Sequence, residues 1–106
     1  MKIRQDFVYD PNLVLYLPLY ELDGSPFMSK DHYGHLCTVT GAKWHLYGRY
    51  FDGTDDYITV PDAASLTPTT GLTISFWMRS TSVEATWQLL ASKYATGQRE
   101  FVIFFT

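Results

Sequence analysis

Apolar positions along this chain fall in short runs broken by Gly, Pro, Asp, Asn, Ser and Thr. That spacing is what short strands joined by tight turns produce. The clearest case is Leu72, Ile74, Phe76 and Met78, which alternate with Thr73, Ser75, Trp77 and Arg79. A period of two predicts a strand over 72–79 with its four apolar side chains on one face. Leu13, Leu15, Leu17 and Leu19 alternate with Val14, Tyr16 and Tyr20. This predicts a strand that is apolar on both sides, with Pro18 marking an edge or a bulge. Further strands are expected at Leu36 to Val39, Gly48 to Phe51, Tyr57 to Val60, Trp87 to Tyr94 and Glu100 to Thr106, with Gly97 turning the last pair. Helix signals are confined to Asp62 through Leu66, where Asp62 would cap a single turn and Pro68 would stop it. Many short strands with almost no helix predict an all-β antiparallel β-sandwich.

Composition narrows the picture. A chain of 106 residues has room for one domain, and 46% hydrophobic with 17% aromatic residues suits a packed core and not a disordered chain. The net charge of −3 comes with no basic stripe, so a nucleic-acid partner is not expected. The longest apolar runs, Leu13 to Tyr20 and Phe101 to Phe105, are too short to insert across a membrane. The start, Met1 to Asp6, is charged and leads into no apolar signal core, which implies synthesis in the cytosol without a cleaved leader. Cys37 is the single cysteine, so an internal disulfide is excluded, and its place between Leu36 and Thr38 predicts a buried, inert thiol.

The run Phe51-Asp52-Gly53-Thr54-Asp55-Asp56-Tyr57-Ile58-Thr59-Val60-Pro61 reads as a hairpin. Its turn formers Asp52 to Asp56 stand between strand formers Tyr50 and Phe51 on one side and Tyr57 and Ile58 on the other. This run resembles the F-D-G-x-x-D-Y hairpin of laminin-G-like domains in the concanavalin A-like lectin/glucanase superfamily. Leu72 to Met78 is similar to the long strand that follows in that family, and Leu89 to Lys93 to the next one. Upstream, Leu15 to Leu19 with Glu21, then Asp31, Gly34 and Gly41 to Trp44, resemble the first strand and its loop, although Leu17 stands where many relatives carry Trp. The resemblance implies a jelly-roll sandwich over residues 13–106, preceded by an extension over 1–12. It also implies further strands beyond the last apolar run, supplied by more chain or by a neighbouring copy.

Candidate chemistry centres on acids and aromatics. Asp52, Asp55 and Asp56 put hard oxygen ligands on one tight loop, which suits Ca²⁺, and Asp31 or Glu21 would add ligands if the loops converge. The competing reading is that these carboxylates only shape the turn. Glu21-Leu22-Asp23 is similar to the E-x-D-x-x-E strand of glucanases in the same superfamily, but the third acid is replaced by Pro26. No catalytic residue is assigned, and an enzyme is not expected. His32, His35 and His45 lack structural zinc spacing and are expected to be solvated or at the rim of the core. Trp77 and Trp87 are expected inside the sandwich. Trp44, Tyr47 and Tyr50 lie near turns and are the aromatics placed to stack on sugar, beside Asp55 and Asp56. The first expectation is therefore a binding module for a glycan or glycoprotein surface, assisted by calcium. The second is a structural protein, such as a virion or phage surface component, that completes its sheets as a homo-oligomer.

Overall fold

A computed structural model of the chain describes residues 6–21, 24–81, 88–95 and 98–105. The chain divides into two compact units, Met1–Leu66 and Thr67–Thr106. The fold class is all-β: every ladder is antiparallel, and the described helical pieces are short 3-10 turns at Asp6–Tyr9 and Ala64–Leu66. The second of these falls within the predicted helical turn and is closed by the Leu66 N–H donating to the Ala63 carbonyl at 2.9 Å.

In the first unit, β1 (Phe27–Met28) pairs with β2 (Leu36–Thr40), and β2 pairs on its other side with β5 (Tyr57–Thr59). Register decides the core. Phe27 lies opposite Cys37 and Val39 opposite Ile58, so these side chains share one face of the sheet. Cys37 is fully buried there against Phe27, with Leu17, Leu19, Val39, Ile58 and Val60 packed around the pair. The alternate positions Met28, Leu36, Thr38, Thr40, Tyr57 and Thr59 face outward and are exposed.

The chain then bends out of this sheet. β3 (Lys43–His45) pairs with β4 (Gly48–Tyr50), so the strands on either side of the acidic loop do not pair with each other as the sequence predicts. Instead β4 returns along β3, and β5 returns along β2. Residues 36–59 form one long hairpin broken in the middle, where residues 41–42 on one arm lie opposite 51–56 on the other. The tip is Leu46-Tyr47, a two-residue connection between the His45 and Gly48 pair. The acidic loop is the longer side of the break. Gly41, at φ +80°, makes room for it, because a Cβ at this position would collide with the Asp56 carboxylate.

Two predicted strands are corrected. Residues 13–18 carry no ladder, because a buried carboxylate replaces the strand that would face them: the Asp31 Oδ1 atom accepts the Tyr16 N–H at 3.0 Å. The Tyr16 carbonyl accepts from the Lys30 N–H at 2.9 Å, and the chain turns at Pro18 to Glu21. Residues 72–79 carry no ladder either, and every residue from 67 to 81 is exposed. The alternation is present there, but among the described residues no strand pairs with it.

The second unit is built on β6 (Gln88–Ala95) and β7 (Gln98–Phe105), close to the predicted spans. They form a ribbon with register shifts between Leu89 and Ala91 and between Lys93 and Tyr94. Lys93 ties this unit together, donating to Thr67 Oγ1 at 2.9 Å and facing Glu100 at 3.3 Å. Trp87 and Gly97 lie outside the described residues. No described helix is long and apolar enough to cross a membrane.

Candidate functional site

The residues singled out from sequence occupy four places in the first unit. Asp52, Asp55 and Asp56 come together on the loop between β4 and β5, each offering a carboxylate oxygen within 4.8 Å of the others. The loop closes on itself. Asp52 Oδ1 accepts the N–H groups of Thr54 at 2.8 Å and Asp55 at 3.3 Å, an Asx turn, and Asp56 Oδ2 accepts the Asp52 N–H at 2.9 Å. The Thr54 N–H, with smaller help from Asp55 and Asp56 against slight desolvation, holds the Asp52 carboxyl below its ordinary range. Oxygens spaced this way can share one ion whose bonds run to about 2.3–2.6 Å, with carbonyls and water completing the six to eight ligands that Ca²⁺ takes.

Asp31 and Glu21 are not members of that group. Asp31 is buried in the turn between β1 and β2, where Oδ2 accepts from Tyr33 N at 3.2 Å and Gly34 N at 3.3 Å, while Oδ1 holds Tyr16. Burial alone would raise its pKa. Hydrogen bonds from Ser29 and from the Tyr16 and Gly34 backbone outweigh that and lower it. Glu21 is exposed at the end of the Pro18 turn, and Asp23, the other half of the glucanase-like pair, lies outside the described residues. Burial raises the pKa of Tyr16, with hydrogen bonding to Tyr20 and the nearby charges of Tyr20 and Glu21 adding to it.

Beside Asp31 sits His35, also buried. Its Nε2 lies 2.9 Å from the Val14 carbonyl, 3.3 Å from Ser65 Oγ and 3.8 Å from Asp31 Oδ2. A carbonyl only accepts, so Nε2 carries the proton and donates it to Val14. Ser, His and Asp together invite a hydrolytic reading, but the geometry does not fit one. In a triad the acid and the hydroxyl use opposite ring nitrogens, and here both approach Nε2. The cluster ties residues 14–16 and 65 to the β1–β2 turn, where the Ser29 N–H donates to the His35 carbonyl and the His35 N–H donates to Ser29 Oγ. Cys37 lies next to this cluster, its Sγ donating to the His35 carbonyl at 3.5 Å. Burial, with the nearby Asp31 charge, pushes the thiol pKa up, so it is a poor nucleophile.

The aromatics divide between the two faces of the β3–β4 hairpin. Lys43 lies opposite Tyr50 and Trp44 opposite Arg49, so Lys43, His45 and Tyr50 share one face while Trp44 and Arg49 share the other. The second face is anchored. Trp44 Nε1 donates to the Tyr20 carbonyl at 3.1 Å, and the Arg49 guanidinium forks to Ala42 O at 3.2 Å and Gly24 O at 2.8 Å above the Phe27 ring. The first face is open, with Tyr50 52% exposed and its ring 5.7 Å from that of His45. Tyr47 projects from the tip at 94% exposure. The sequence gives no hint of Lys43 and His45 as companions of Tyr50. The tip Leu46-Tyr47 lacks the Asn-Gly or Asp-Gly signal that would have set the register.

A laminin-G family model, described as the concanavalin A-like lectin/glucanases superfamily, matches residues 52–106. The chain belongs to this superfamily. The match takes in the acidic loop, β5 and the whole second unit. Domains of this laminin-G-like kind are often carbohydrate-binding modules and generally non-catalytic. Neither a curated protein nor a solved structure matches the chain.

Proposed function

We propose that this chain is a non-catalytic module that binds a glycan or the glycan of a glycoprotein surface, with the open face of the β3–β4 hairpin as its platform. The observation that carries this reading is an exposed tyrosine ring on a hairpin locked from behind by Trp44 and Arg49. An aromatic face stacks on the apolar face of a sugar ring, and a platform that is already rigid loses little entropy on binding. The acidic loop follows Tyr50 at once in sequence, and in this reading Asp52, Asp55 and Asp56 hold Ca²⁺ that supports the loop or meets sugar hydroxyls. Superfamily membership supports the reading at the level of fold, and site chemistry carries the rest. Probing a glycan array with the chain, with calcium and with chelator, tests it. Binding that Tyr50→Ala abolishes is expected, with weaker binding in chelator. An array silent under both conditions removes the reading.

A second reading is favoured by one observation. Residues 72–78 are apolar at alternate positions, uncharged and wholly exposed, as a strand waiting for another sheet would be. In that reading the chain is an assembly subunit, for instance of a virus particle, and adds this strand to a neighbouring copy.

A further inference from the structure

We infer that the glycan taken by the β3–β4 face is an acidic one, a sugar bearing a carboxylate; this rests on the carbohydrate reading above and adds the substrate class. Three side chains make the face. Tyr50 supplies the ring, Lys43 stands directly across the ladder from it, and His45 lies on the diagonal with its ring against Tyr50. Positions 43, 45, 48 and 50 contain no acid, and the fourth of them is Gly48, where an added Cβ would meet nothing within 4 Å. The notch at Gly48 leaves the edge of the imidazole reachable.

The decisive contrast is with Lys93. That ammonium is paired with Glu100 at 3.3 Å and with Thr67 at 2.9 Å. Lys43 is exposed and has no carboxylate within ion-pair distance among the described residues. An aromatic ring flanked by an imidazole N–H donor and by an ammonium with no carboxylate partner among the described residues complements a pyranose that carries a negative group on its rim. The sugar face lies on Tyr50, and the carboxylate accepts from Lys43 and His45.

The test uses uronate- and sialate-bearing oligosaccharides, each compared with its own methyl ester, which removes the charge and keeps the ring. The wild-type chain is expected to bind at least one free acid more tightly than its ester. Lys43→Gln should reduce that preference roughly five-fold by weakening the free acid more than the ester, and added salt should weaken the acid more than the ester. Lys43 is exposed, so the thermal midpoint of the variant should match the wild type and a fold defect is separable. Equal binding of acid and ester, or a preference that survives Lys43→Gln, overturns the inference and leaves the carbohydrate reading standing. Binding of neither form to the folded chain overturns both.

Discussion

Strand β2 and residues 72–79 carry the same sequence signal and end in opposite environments. In β2, Cys37 and Val39 alternate with Leu36, Thr38 and Thr40, and the odd positions turn inward because Phe27 and Ile58 stand across the ladders to receive them. In 72–79, Leu72, Ile74, Phe76 and Met78 alternate just as regularly, and all are exposed. Alternation states which side chains would be buried if a partner arrived, because a strand puts successive residues on opposite faces. It does not supply the partner. The difference between the two stretches lies in the ladder neighbours and not in the stretches themselves.

Removing a partner from β2 is the most direct way to break that comparison. Phe27 covers Cys37 from β1 and gives the Arg49 guanidinium a ring to lie on, so Phe27→Ala withdraws both contacts. The expected loss is about 3 kcal/mol, the lower end for a buried Phe, since the core is small and part of it can collapse. The midpoint of urea unfolding reads this directly. A loss below about 1 kcal/mol would mean that β2 does not owe its burial to β1, and the contrast with 72–79 would fail.

How far the sequence anticipated the structure follows the same line. Where a strand finds its partner nearby, short apolar runs between turn formers are enough: the strands Leu36–Thr40, Gly48–Tyr50 and Tyr57–Thr59 and both arms of the last ribbon overlap the spans expected from them. The short strands Phe27–Met28 and Lys43–His45 were too brief to show a period. In the middle hairpin the strongest turn formers, Asp52 to Asp56, do not mark the tip, which is Leu46-Tyr47. The meeting of the three loop aspartates was legible, since they are close in sequence. The placing of Lys43 across from Tyr50 was not, because it depends on cross-strand register.

Asp31 offers a second, smaller perturbation that sharpens the point, since here a side chain plays the part of a missing strand. Its carboxylate accepts the N–H groups of Tyr16, Tyr33 and Gly34, and so holds 13–18 against the sheet without a ladder. Asp31→Ala leaves these donors without their acceptor and should cost about 2 kcal/mol. The folded-state pKa of Asp31 is depressed, so its contribution is fully present above the unfolded value of about 3.9 and is lost as pH falls through the lower folded value. Asp31→Asn keeps an acceptor but cannot titrate. The wild type should therefore lose stability more steeply than Asp31→Asn below about pH 4. Parallel acid profiles for the two would show that the carboxylate charge plays no part in the clamp.

The smallest effect on stability is expected where the partner is missing. Trp77 is fully exposed, at 102% of the reference surface, so Trp77→Ser uncovers no buried surface within the described residues and should change the unfolding free energy read from urea by no more than about 0.5 kcal/mol. The informative readout is mass in solution. If 72–79 joins a neighbouring copy, light scattering of the wild type gives an oligomer, and Ile74→Lys, which puts a charge into the apolar row, shifts it towards monomer. Trp77→Ser leaves that row intact and should perturb assembly less, unless the opposite face is the one covered. A monomeric wild type would remove the assembly reading. A large loss of monomer stability in Trp77→Ser would show that this stretch has a partner within its own chain, and the contrast with β2 would close.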